Sequence, residues 1–442
     1  MSRSTVIVME EMRTSRERLG SHSTLRVALL FSLLIFAVLA FGAVEPWATY
    51  ALECGAAVLA GYELWRGFAA PGRFRGHVLY PALVGMTVVV LLQLAAGTTV
   101  YSWITASQLK GLIALELLFF VTVQLFREQV RVRLFFMLLS AAGMLIAVFA
   151  LVQRFTGNGK IYWLKSLQYD FAYFGPYVNK NHYAGLMEML FPLPLFLAFS
   201  VKDLEKRAFL GFISVLMAAS IFVSNSRGGM LACIVQALLI TVLFVAPRRE
   251  DDRSHRWVLA AGLLLAVVLV IGWLSGGSTV DRLLTLREPM ADDTSGNRLT
   301  ILRDSLPIIR RHLWFGTGLG TFPVIYPSYR SFYSESFVNA GHNDYLQLIV
   351  ETGLLGALAL AWFVVVYIRS CARLLREWRF SPFATLQIAA SMSCLGLLVH
   401  SVVDFNLHIP ANAALFFVLL TISTFGPLRK EAPGDPGKIR SM

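Results

Sequence analysis

Apolar runs of near-spanning length recur along this chain, separated by short polar gaps. A helix needs roughly 20 apolar residues to cross a bilayer core. The pattern predicts twelve helices, over about 25–43, 49–65, 79–97, 111–126, 134–152, 184–200, 208–224, 229–246, 257–275, 343–368, 383–403 and 409–425. The expected fold class is therefore an all-α integral membrane protein. Two gaps, 153–183 and 276–341, are too long to be simple turns. The second makes a large, partly helical loop between the ninth and tenth helices. Within it, Leu299, Leu302, Leu306 and Ile309 share one narrow face at the helical period, with Arg298 on one flank and Arg303 and Arg310 on the other. That pattern predicts a helix lying in the membrane interface, kinked at Pro307.

The segment Gly316 to Gly320 lacks the lysine and preceding strand of a nucleotide phosphate loop and reads as a tight re-entrant turn. The chain divides into one membrane domain, 1–426, which contains the 276–341 loop, and a Pro/Gly/Lys-rich cytoplasmic tail, 427–442.

Charge changes the picture. The net charge is +12, and the basic clusters fall in alternate gaps. This is the bias that orients membrane proteins, with Lys and Arg on the cytoplasmic side, so nucleic acid is not the expected partner. Both termini are then cytoplasmic. The cations on the other face need a different reason. They include Arg298, Arg303 and Arg310 in the long loop, Arg227 in the tight turn Ser224 to Gly229, and Lys180 beside His182. A phosphate or diphosphate ligand would supply that reason. The four cysteines are scattered, without metal-ligand or disulfide spacing.

The segment Gly341-His342-Asn343-Asp344-Tyr345-Leu346-Gln347 ends the polar loop and starts a membrane helix. Asn343 or Asp344 serves as its N-cap. His342 then projects from the positive end, whose field disfavours imidazolium. A neutral imidazole can take a proton from an acceptor hydroxyl. His182 and His408 are rival bases on the same face, and Asp404 is placed to pair with one of the three. Glu351, nine residues beyond His342, reads as a helix contact. Spacing alone does not choose among Arg298, Arg303 and Arg310.

These residues resemble a known family. Gly341 to Gly353 with Leu354-Leu355-Gly356, Ser226-Arg227-Gly228, Asn179-Lys180-Asn181-His182, and Arg298 followed by Gly316 to Phe322 are together similar to the O-antigen ligase and O-antigen polymerase superfamily. The resemblance covers roughly residues 170–410. It departs at Leu302, where the family often has tryptophan, and at Leu313-Trp314, near where it often has proline.

The resemblance implies a GT-C-like, inverting, metal-independent glycosyltransferase without a cofactor. Its donor would be a glycan on undecaprenyl diphosphate, and its site the periplasmic face of the bacterial inner membrane. His342 would activate the acceptor hydroxyl, and Arg227 and Arg298 would hold the diphosphate. Lys180, His182, Arg303, Asp404 and His408 would support them. The acceptor would be lipid A core in a ligase, or a growing lipid-linked glycan in a polymerase. The ligase form is the expected one. The competing class, a transporter of lipid-linked sugars, predicts an inverted repeat and cations along a transverse path, whereas the charges here sit on one side.

Overall fold

The computed structural model describes residues 21–69, 74–126, 128–166, 173–245, 293–333, 337–377 and 381–426. The fold is helical throughout, with 78% helix and, among the described residues, no strand. In chain order the helices are α1 (Ser21–Leu39), α2 (Pro46–Ala69), α3 (Tyr80–Ala95), α4 (Ser102–Leu125), α5 (Gln129–Thr156), α6 (Lys180–Leu190), α7 (Pro192–Phe199), α8 (Leu204–Val223), α9 (Arg227–Val245), α10 (Asp293–Arg311), α11 (Phe322–Ile325), α12 (Asp344–Glu377), α13 (Pro382–His400) and α14 (Pro410–Thr424).

Six segments are long and apolar enough to cross a membrane: α4, α5, α6 with α7, α8, α12 and α13. Shorter apolar helices form within α1, α3, α9 and α14. Eleven of the twelve predicted runs coincide with these elements or with α2. The run 257–275, the loop residues 276–292 and the tail 427–442 lie outside the described residues.

Local chemistry sets the helix starts. The Asn179 side chain accepts from Asn181 N at the head of α6. The Asp203 side chain does the same for Glu205 N and Lys206 N in α8. Ser381 caps α13, with proline following at the first helical position. Pro192, which has no amide hydrogen to donate, separates α6 from α7.

The α6–α7 rod is almost wholly buried and forms the centre of the bundle, packed by α5, α8, α9, α13 and α14. Leu, Val and Trp side chains on α1 to α5 remain exposed, as on a lipid-facing wall.

Helix alternation gives the bundle two ends. At one end Tyr162 donates to Leu39 O, Tyr177 to Asn412, Val100 N to Thr317 O and Asp344 N to Ser401 O. At the other, Arg26 meets Glu63, Arg75 meets Gln124 and His77 meets Thr424. His342 stands at the first end. The described members of the basic clusters, such as Arg66, Arg131, Lys206 and Arg373, stand at the second.

Candidate active site

Asp404 is the centre of the site. It lies in the loop between α13 and α14 and is 1% exposed. One carboxylate oxygen accepts from Phe405 N at 2.8 Å and faces His342 Nδ1 at 3.9 Å. The other accepts from Asn181 Nδ2 at 2.5 Å and faces Arg298 Nη2 at 4.0 Å. Three segments far apart in sequence, the head of α6, α10 and the loop before α12, thus converge on one buried anion. Burial alone would raise its pKa, but His342, His182 and His400 around it hold the carboxyl well below the usual carboxylate range. It is charged at any working pH.

The phenyl ring of Phe405 meets two imidazoles edge-on, His342 at 5.2 Å and His182 at 4.9 Å between centroids. His342 sits at φ +48°, in the left-handed region that a non-glycine residue occupies at a cost. Its Nδ1 is buried and, among the described residues, has no hydrogen-bond partner. Asn343 caps α12 by accepting from Leu346 N at 2.9 Å and ties itself to Val402 O. His342 therefore stands one residue outside the helix, at its positive end.

The fold decides between the arginines of α10. Ile301, Ser305 and Ile308 form its buried face, against Phe322, Tyr326 and Val350. Arg298 borders that face and reaches Asp404, whereas Arg303 and Arg310 point away and are exposed. The leucine stripe is separate from this packing face; Leu299, Leu302 and Leu306 are exposed. An exposed apolar stripe beside arginines is what an interfacial helix offers to lipid.

The glycine turn is set into α12. At Gly353 (φ +63°, ψ −158°) the helix breaks. Val350 O and Glu351 O then accept from Thr317 N and Gly318 N at 3.0 and 2.9 Å. Beyond the break, Leu354 N and Leu355 N donate to Leu313 O and Trp314 O. The loop thus satisfies the backbone groups that the break frees. Gln93 of α3 seals the junction by donating to Glu351 O at 2.7 Å and to Phe315 O.

Glu351 locks the same region with its side chain, accepting from Gly320 N at 2.7 Å and Phe322 N at 3.2 Å. Gln347 donates to Glu351 and accepts from Gly341 N, each at 2.9 Å. A continuous hydrogen-bonded path therefore runs from the glycine turn to the peptide before His342.

The remaining candidates take different positions. Arg227 opens α9 after the tight turn. A Cβ on Gly228 would stand 2.5 Å from the His400 ring, so the turn rests on that histidine, which pairs with Glu188 at 2.8 Å. Among the described residues the Arg227 side chain has no hydrogen-bond or ion-pair partner. Lys180 is the first residue of α6. His182 is buried beneath the site, and neither of its ring nitrogens has a hydrogen-bond partner.

His408 is occupied elsewhere. Its Nδ1 lies 2.6 Å from Asp344 Oδ1, while Leu407 N donates to Asp344 Oδ2. Burial disfavours its imidazolium, but Asp344 and Glu351 outweigh that and raise its pKa. A raised folded pKa gives stability that is complete below the unfolded value, about 6.5, and that drains as pH rises through the folded value. The melting temperature is therefore expected to fall between pH 6 and pH 9, and His408→Gln to flatten that slope. Melting curves across this range check it; an unchanged slope in the variant would exclude the pair as its source.

Gln93, Asn181, Gln347 and Phe405 were not singled out by sequence reasoning. For Gln93 the available signal was a lone amide in an apolar run, which inside a membrane demands a partner. Among the described residues, no group of three or more His, Cys, Asp or Glu side chains is arranged to hold a metal.

This site spans the junction between a helix start and its partner loops, and a family model covers part of it. Residues 212–361 match the O-antigen ligase domain. The match includes Arg227, Arg298 and His342, and it supports membership of the O-antigen ligase and polymerase superfamily. Proteins of this family are glycosyltransferase-like enzymes of O-antigen biosynthesis. No curated protein matches the chain.

Proposed function

We propose that the chain transfers a glycan from undecaprenyl diphosphate to an acceptor hydroxyl of lipid A core, at the periplasmic face of the bacterial inner membrane. The observation that carries this reading is the convergence on Asp404 of His342 and Arg298, both of which lie within the matched O-antigen ligase domain. The end of the bundle that holds them is taken as periplasmic because the basic clusters concentrate at the other end.

In this reaction His342 accepts the acceptor's proton as its oxygen attacks the anomeric carbon. The bond from that carbon to the diphosphate breaks, and its electron pair leaves on the diphosphate. Arg298 and Arg227 meet the charge that develops there with guanidinium hydrogen bonds. A single displacement inverts the anomeric centre. Asp404 orients His342 and stabilises the imidazolium as it forms, as the third member of a catalytic triad does. Lys180 adds positive charge at the head of α6.

Asp404→Asn keeps the shape and removes the charge. Its kcat is expected to fall about a hundredfold with KM little changed, and kinetics at saturating donor check it. A loss confined to KM would assign Asp404 to donor binding instead.

The function itself is tested with purified protein in liposomes, using undecaprenyl-diphosphate glycan with and without lipid A core. A single shifted product that requires the core supports the ligase. A ladder from donor alone would replace it with a polymerase. No product in either lane would return the transporter reading.

A further inference from the structure

A second charged site lies at the end of the bundle opposite His342. The first turns of α1 and α5 and the last turns of α2 and α4 meet around a cavity of about 210 Å³. Arg26, Arg66 and Arg131 line it with Glu63, Glu128, Gln124, Gly67 and Phe74. Arg26 is 7% and Arg131 9% exposed.

The internal pairing is incomplete. Glu63 is shared by Arg26 at 2.6 Å and Arg66 at 3.3 Å, and Arg131 reaches Glu128 at 2.9 Å and Leu125 O at 3.0 Å. Among the described residues, three guanidinium groups thus face two carboxylates, leaving one positive charge. The Nε atoms of both Arg26 and Arg131 are buried and, among the described residues, have no acceptor. A buried donor without an acceptor and a buried net charge are both costly, and one anion in the cavity relieves both.

We propose that this cavity binds the phosphodiester of an anionic lipid headgroup. A phosphodiester carries the single negative charge that the pocket lacks, and its oxygens suit guanidinium donors. The volume holds several water-sized groups, enough for a phosphate with the start of its glycerol. The rim favours lipid over a free ion: Trp65, Phe68 and Phe74 are exposed beside the pocket, an apolar wall for the acyl chains. On the proposed topology this is the cytoplasmic leaflet, where anionic lipid attracts basic side chains. The site is separate from the diphosphate site, at the far end of the same helices.

The test measures lipid binding to delipidated full-length protein in detergent, by native mass spectrometry and thermal melting. The probes are phosphatidylglycerol, phosphatidylcholine and inorganic phosphate. Phosphatidylglycerol is expected to bind in preference to phosphatidylcholine and to raise the melting temperature. Two variants shift its affinity in opposite directions. Arg66→Gln, at a partly exposed side chain, removes a donor and weakens binding about tenfold. Glu128→Gln removes competing negative charge, frees Arg131 and tightens binding several-fold, a gain that misfolding cannot imitate. Equal binding of the two lipids, or affinities unmoved by both variants, overturns the proposal. Full stabilisation by inorganic phosphate alone overturns the lipid assignment.

Discussion

Replacing His342 by alanine is expected to cut glycan transfer about a thousandfold while donor binding persists. General-base catalysis contributes roughly two to four orders of magnitude, and among the described residues no second base stands equally ready. His408 is held by Asp344 at 2.6 Å, and His182 is buried behind Phe405. The ring of His342 contributes one edge-on aromatic contact and no close hydrogen bond, so its loss leaves the fold intact. Alanine even relaxes little of the left-handed backbone, which Gly341 N and Asn343 fix from either side. Initial rates with saturating donor, beside a donor-retention assay and a melting curve, separate the outcomes. Activity above a tenth of wild type would remove His342 from the base role.

Gly353→Ala carries the largest expected loss of stability, about 3 kcal/mol or more. Two effects add. The conformation at φ +63°, ψ −158° is open to glycine and costs other residues of order 1–3 kcal/mol. A Cβ there would also stand 2.5 Å from Gly316 N and 2.6 Å from the carbonyl of Trp314, both rigid backbone. Neither can move without breaking the hydrogen bonds that join loop and helix. Each freed group would then lie buried without a partner, at roughly 1–3 kcal/mol apiece. A melting temperature within a degree of wild type would show that the break is not a constraint on the fold. Gly316→Ala meets the same backbone from the other side, 2.4 Å from the carbonyl carbon of Glu351, and should behave alike.

Much of the site was legible from residue type and place. A histidine at a helix head, arginines on the face that topology leaves neutral, and an aspartate in the last polar loop are local signals, and the fold gathers His342, Arg298 and Asp404. What escaped was long-range. Periodicity found the stripe Leu299, Leu302, Leu306 and Ile309, but it did not reveal the second face of α10, the one that packs against protein. The packing face, Ile301 and Ile308 around Ser305, is interrupted by a hydroxyl that bonds back to Ile301 O, so it looks weaker in sequence. Gln93 and Gln347 hold backbone and carboxylate groups that no local pattern announces. The helix break was hidden for a related reason. A single glycine in an apolar run is common, and only the distant partner loop converts it into an interruption.

The break at Gly353 also works as a measure of distance. An unbroken helix of 34 residues would extend about 51 Å, far more than a hydrocarbon layer of about 30 Å. The stretch after Gly353 is long enough to cross that layer alone. The nine residues before it add at most about 14 Å, clamped to the polar loop instead of to lipid. The number of residues between Gly353 and His342 thus becomes a height. Under the proposed function, it sets how far above the acyl chains the base would stand, how far a membrane-anchored donor would extend to meet it, and how deep an acceptor would reach.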